Sequence, residues 1–236
     1  MKSRAEAEAV LLTQGWLTYM PEHFQQEVLR RSALREYDAK QPVYRQGDEH
    51  GGMYGMVEGA LSVSLAPNVH GPYAASFVRP GNWIGGGPAI MDEPRYMSAT
   101  ARARTLLMHL PLAAIREVTA SDPVFWRYVA VNVTINLKIV IQRYDDLLIS
   151  DPKTRVAAVL LRLAGYDDDP ADAFANPDIP MSQTEIAEIT RLTRNGLGGV
   201  LSRLAAEGAV SMAYGHVTIV DPKALMRIVK NGHRLG

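Results

Sequence analysis

The chain has no cysteine in 236 residues. That absence excludes disulfides, cysteine-held iron–sulfur clusters, thiolate-ligated haem and cysteine-based zinc sites, and it fits a reducing compartment. Net charge is absent too: 25 Lys and Arg balance 25 Asp and Glu, so no global basic field marks the whole chain for nucleic acid. No uninterrupted run approaches 18 apolar residues, and the N-terminal stretch, with Glu6 and Glu8, lacks the apolar core of a signal peptide. A cytoplasmic protein with no membrane span is expected. Also missing are G-x-S-x-G, a Walker loop, H-E-x-x-H and a cysteine nucleophile, so no constellation asks for an enzyme. No cofactor or metal is expected.

What is present is organised around DPVFWRYVAVNVTINLKIVIQRYDDLLI, residues 122–149. Asp122 suits a helix N-cap and Pro123 a first helical position. No glycine or further proline follows until Pro152. As one helix the stretch would be about 42 Å long. Val129, Val131, Val133, Ile135, Leu137, Ile139 and Ile141 nevertheless alternate with period two and are mostly β-branched, which is a strand signal. Such a strand would exceed the usual length and has no turn to give it a hairpin partner. A helix apolar all round is ordinary when it is covered on both sides, here by its own module and a second copy of the chain. A helix and a homodimer are therefore expected.

Before this stretch, residues 4–31 carry Val10, Leu11, Leu17, Phe24, Val28 and Leu29 at helical spacing, broken by Pro21 into two short helices. From Pro42 to Pro111 short β-prone pieces alternate with glycines, Gly47, Gly59, Gly71, Gly81 and Gly85 among them, which suggests a sandwich or roll. LPLAAIREVTASDP reads as an amphipathic helix. After the stretch, Ser150-Asp151-Pro152 is a hinge candidate, with Asp151 capping a helix over KTRVAAVLLRLAGY. Residues 166–180, rich in Asp (Asp167, Asp168, Asp169, Asp172, Asp178) and Pro, read as a solvated loop without the ligand spacing of a calcium loop.

Met181 to Leu204 holds the sharpest local signal. Ser182 and Glu185 form an S-x-x-E capping box. A helix from about Gln183 to Ile189 is followed by a turn at Thr190-Arg191-Leu192. Thr193 then caps a second helix whose buried face is Leu197, Val200, Leu201 and Leu204. This is helix-turn-helix spacing. Two short strands, Ala209–Met212 and His216–Val220, would form a wing around Tyr214-Gly215. Between Met181 and Gly236 seven Lys and Arg face four Asp and Glu, so the basic character is local to this module.

The order of a β-roll, a long helix and a winged helix-turn-helix with S-x-x-E-I-A and T-R-N resembles the CRP/FNR family of bacterial transcription regulators over essentially the whole chain. PVYRQGDEHGGMYGMVEGALSVSL resembles the family's roll opening, GNWIGGGPAIM its phosphate-cassette region, and EGAVSMAYGHVTIVD its wing. The resemblance implies an α+β fold. Its parts are a sensor of cyclic-nucleotide-binding-domain-like double-stranded β-helix type over 1–121, a dimerisation helix over 122–149 and a winged helix-turn-helix over 150–236. It implies a homodimer on double-stranded DNA, with RNA polymerase as a further partner.

Carried over by position, Ser182, Arg191, Thr193, Arg194, Asn195, Gly198, Gly199 and Arg203 form the DNA-facing set. Arg194 suits guanine, Asn195 suits adenine, and Arg191 and Thr193 suit phosphates. Gly199 stands where many members carry a second base-reading arginine. Gly196, Gly198 and Gly199 together weaken a helix by roughly 2–3 kcal/mol. The effector pocket would be lined by Gly85, Gly86, Gly87, Met97, Ser98, Val140 and Ile141. Here Gly86 stands where the family's ribose-binding Glu belongs, Met97 where its phosphate-binding Arg belongs, and Val140 and Ile141 where hydroxyl residues meet the base. These departures argue against a cyclic nucleotide and leave a glycine backbone nest, an apolar ligand or a filled pocket as alternatives. Haem on His50, His70 or His109 is disfavoured. The alternative function is a ligand-sensing regulatory subunit that does not bind DNA.

Overall fold

The computed structural model describes residues 2–65, 73–166 and 176–232. His70, Gly71, Arg234 and the acidic residues Asp167, Asp168, Asp169 and Asp172 lie outside the described residues. The chain divides into two compact units, Met1–Lys138 and Ile139–Gly236. The division falls inside the long helix.

In the first unit, helices α1 (Arg4–Thr13) and α2 (Glu22–Arg31) flank a single 3-10 turn at Trp16–Tyr19. The strands that follow are β1 (Ala33–Tyr37), β2 (Pro42–Tyr44), β3 (Gly52–Glu58), β4 (Leu61–Leu65), β5 (Tyr73–Val78) and β6 (Trp83–Ile84). After the short helix α3 (Gly86–Met91) come β7 (Ser98–Ala101), β8 (Thr105–Pro111) and helix α4 (Leu112–Ser121). The strands form two antiparallel four-stranded sheets, ordered β1-β8-β3-β6 and β2-β7-β4-β5, the roll that the glycine-punctuated sequence suggests.

The apolar character of β3 and β8 follows from this layering. On the helical side Met53, Val57, Leu106, Met108 and Leu110 pack with Trp16, Leu17, Phe24, Val28 and Phe125. On the other side Tyr54, Met56 and Leu107 pack with Leu61, Val63 and Ala99 of the second sheet. A strand covered on both faces has no polar side to show.

The long helix is α5 (Val124–Leu148), so the strand-like alternation is overruled. Tertiary burial decides between the two periodicities: Phe125, Val129 and Asn132 are buried at helical spacing. It begins one residue later than the sequence suggests. Asp122 ends α4, with its N–H bonded to Val118, while its side chain accepts from the Val124 N–H at 3.1 Å. Within the first unit α5 is tied by the Trp16 indole N–H, which donates to the Tyr128 carbonyl at 2.8 Å. Asn132 and Asn136 both donate from Nδ2 to the Trp83 carbonyl, at 3.0 and 2.9 Å.

The second unit contains the end of α5, then α6 (Pro152–Ala164), β9 (Asp178–Ile179), α7 (Gln183–Thr190) and α8 (Arg194–Ala206). The hairpin β10 (Val210–Ala213) and β11 (His216–Ile219) and the final helix α9 (Pro222–Gly232) complete it. Asp151 caps α6 through the Thr154 N–H at 2.8 Å, with Pro152 at the first position. The core joins Val156, Leu160, Ile186, Leu197, Leu201, Leu204, Val217 and Leu225.

Candidate functional site

The reading head forms from local signals. The Ser182 hydroxyl accepts from the Glu185 N–H while the Glu185 carboxylate takes the Ser182 N–H at 2.8 Å, so Ser182 is occupied as the cap of α7. That helix closes on Arg191, which lies in the left-handed region at φ 56°, a conformation that costs a side-chain-bearing residue about 1–2 kcal/mol. Thr193 caps α8 by accepting from the Gly196 N–H at 3.1 Å. Leu197, Val200, Leu201 and Leu204 turn inward. Arg191, Thr193, Arg194, Asn195, Gly199, Ser202 and Arg203 are exposed.

Neither Arg194 nor Asn195 has a side-chain hydrogen bond or ion pair among the described residues. A Cβ added at Gly198 or Gly199 would meet open space, so nothing in the free fold requires glycine there. The wing tip presents Tyr214 fully to solvent, with exposed His216 beside it. Together these residues give a face with donors and acceptors free, as reading base edges and phosphates demands.

The glycine segment in the roll is organised around a residue that positional matching passed over, Arg95. Its side chain is 2% exposed. Nη2 donates to the Gly52 carbonyl at 2.6 Å, and the guanidinium carbon lies 4.3 Å from the Tyr44 ring centre. Nε and Nη1 are buried and find no acceptor among the described residues. Gly85 sits at φ 94°, and a Cβ there would come within 2.5 Å of Arg95 Nη1. The expectation that this region has no guanidinium is thus corrected. Counting from Ser98-Ala99 assigns the arginine's place to Met97, but Arg95 reaches the glycine segment from two residues upstream. No composition signal distinguishes a buried arginine from a surface one. The nearest hint is its setting beside Pro94 and Tyr96, between a glycine segment and a β-strand.

The other expected pocket residues divide. Gly86 opens α3, and a Cβ on it would meet Asn132 Oδ1 at 3.1 Å and Val133 at 3.3 Å. That position faces α5, so its lack of a side chain is a packing requirement. Gly87 abuts the Tyr96 hydroxyl. Ser98, on β7, accepts from the Gln46 N–H at 2.9 Å, and half-buried Met97 packs on the inter-sheet cluster. Val140 and Ile141 belong to the second unit and are each 57% exposed.

Of the histidines considered for haem, His50 is bonded to Asp92 at 2.9 Å, and His109 stacks on Tyr54 with centroids 4.5 Å apart while contacting the Gly51 carbonyl. Burial holds the His109 ring below its usual pKa, and the Arg35 and Arg95 charges add to this. No group of three or more His, Asp or Glu residues suited to a metal occurs among the described residues.

A β-roll followed by a winged helix-turn-helix joins a domain of cyclic-nucleotide-binding type to a DNA-binding one. The comparisons agree. The Cyclic nucleotide-binding domain family matches residues 34–122, and the Crp-like helix-turn-helix domain family matches residues 154–228. The chain is 23% identical to the cAMP-activated global transcriptional regulator CRP of Escherichia coli over 79% of this chain and 89% of that protein. It is 29% identical to the transcriptional regulator LdrP of Thermus thermophilus over 82% and 95%. The c-di-GMP responsive global regulator CLP of Xanthomonas campestris shares the fold, with a TM-score of 0.64, 18% identity and coverage of 84% and 99%. The chain belongs to the CRP/FNR family of transcription regulators.

Proposed function

We propose that this regulator acts as a homodimer on a near-palindromic DNA site, reads it with Arg194 and Asn195, and is controlled by a small anion held at Arg95. The observation that carries the DNA reading is the unpaired, exposed Arg194–Asn195 pair at the capped start of α8. Dimerisation is supported by α5, where Leu137, Val140, Ile141, Tyr144 and Leu148 are 54–64% exposed at the three- and four-residue spacing of one helical face. Such a face on water is costly, and a second copy of the same helix covers it. This also accounts for the apolar length of α5, which by composition alone would suffice to cross a membrane. Two reading heads then meet successive major grooves about one helical turn apart. RNA polymerase is the further partner, and the cytoplasm the location.

The anion is supported by the energetics of Arg95. A guanidinium buried with two nitrogens, Nε and Nη1, lacking acceptors costs several kcal/mol, only partly offset by its stack on Tyr44. A charge-assisted pair with an anion satisfies both. Relatives named for cyclic AMP and cyclic di-GMP both answer to phosphates. This site offers no carboxylate at position 86 for a ribose hydroxyl, so the effector is an anion other than cyclic AMP.

The test is site selection from random DNA with the purified protein, followed by melting in a panel of cyclic nucleotides, organic phosphates and carboxylates. Enrichment of an inverted repeat and a rise of several degrees with one anion, absent in Arg95→Gln, are expected. No enriched sequence would reject the DNA reading. A rise with cyclic AMP would reject its exclusion.

A further inference from the structure

The expected hinge at Ser150–Pro152 is gripped from both sides within the second unit. Upstream of it, Asp146 on the last turn of α5 is 4% exposed, and its Oδ2 lies 2.6 Å from Arg162 Nε on α6. Across it, Arg155 Nη1, one turn into α6, donates to the Ile149 carbonyl at 2.7 Å. Between the two, the Asp151 carboxylate accepts from the Thr154 N–H and hydroxyl at 2.8 and 2.7 Å. An exposed ion pair contributes little, but this carboxylate is withdrawn from water, where loss of one partner strands the other charge.

We infer that Asp146, Arg162 and Arg155 are positioning residues that clamp the DNA-reading module to the last turns of the long helix, so that the clamp sets which half-site spacing the dimer accepts. No DNA contact is required of any of the three. Their effect passes through the angle at which α6, and with it α7 and α8, leaves α5. This inference rests on the dimeric reading above.

The experiment uses the full-length protein and its selected site, rebuilt with the spacer lengthened or shortened one base pair at a time, together with a single half-site probe. Wild type should prefer one spacer sharply. Asp146→Asn should flatten that preference by about fivefold or more while half-site affinity stays within about twofold, and Asp146→Glu should restore it. Arg155→Met, which releases only the Ile149 carbonyl, should act in the same direction, and it replaces Asp146→Asn if that variant melts below the assay temperature. An unchanged spacer preference in both variants, or an equal loss on every probe, would overturn the clamp, because a merely structural role weakens all sites alike. A wild-type protein indifferent to spacing would overturn the dimeric reading and the clamp with it.

Discussion

Two arginines with unused donors stand at opposite ends of the proposed function, and their surroundings could hardly differ more. Arg95 is 2% exposed, stacked on Tyr44 and bonded once, to the Gly52 carbonyl. Arg194 is exposed at the first position of α8. A buried guanidinium raises the energy of the free protein, and on the reading proposed above a small anion relieves it. An exposed guanidinium costs the free protein nothing and waits for a surface that brings its own acceptors. On the same reading the roll would store its readiness to bind as local instability, and the reader would display it in water.

That contrast can be broken most forcefully at Arg95. Replacing it by Met removes a buried charge while keeping much of its volume, and should stabilise the free protein by about 1–4 kcal/mol while abolishing any anion-induced rise in melting temperature. Denaturant unfolding measures this. A loss of stability would mean that the Tyr44 stack and the Gly52 bond outweigh the cost of burial. Arg194→Ala should do the opposite, leaving folding stability within about 0.5 kcal/mol and costing about 1–3 kcal/mol of specific DNA binding, with relaxed preference at one position of each half-site. Fluorescence anisotropy on the selected site and on single-base variants reads both effects.

Arg191 lies between these cases, being exposed but held at φ 56°. Arg191→Gly relieves the strain, so the free protein should gain about 1 kcal/mol. The slope of log affinity against log salt should fall by about one, the signature of a lost phosphate contact. An unchanged slope would remove Arg191 from the DNA interface. The smallest effect is expected at His109. Burial lowers its pKa below the ordinary 6.5, so the fold favours the neutral ring. That contribution is complete above pH 6.5 and drains away as pH falls below it, because the unfolded chain takes up the proton first. Melting from pH 7.5 downwards should show a shallower decline in His109→Gln than in wild type.

What was legible beforehand was mostly local. The Ser182/Glu185 box, the Thr193 cap and the Asp151-Pro152 start each involve groups three or four residues apart, and each stands where the sequence puts it. The roll was legible from its turns, since glycines between short β-prone pieces leave few other folds. The long helix was legible only in part, because β-branched residues at alternating positions suit a strand, and only the length of the stretch and its lack of a turn favoured a helix. The resemblance, and then the packing of Phe125 and Val129, settled it. Arg95 escaped because its meaning is tertiary: what matters is the Gly85 backbone beside Nη1, which no spacing encodes. The division of the molecule within α5 escaped for the converse reason. A continuous helix with no glycine or proline carries no mark of where its packing changes sides.

The two asparagines that donate to the Trp83 carbonyl have an optical consequence. Trp83 is fully buried, with its indole 5.5 Å from that of Trp16, and its main chain leads in two residues to Gly85 beneath Arg95. Two of the three tryptophans of the chain therefore sit where the glycine segment meets the long helix. The protein's own ultraviolet emission is a built-in gauge of that junction, readable without a dye, a label or a known effector.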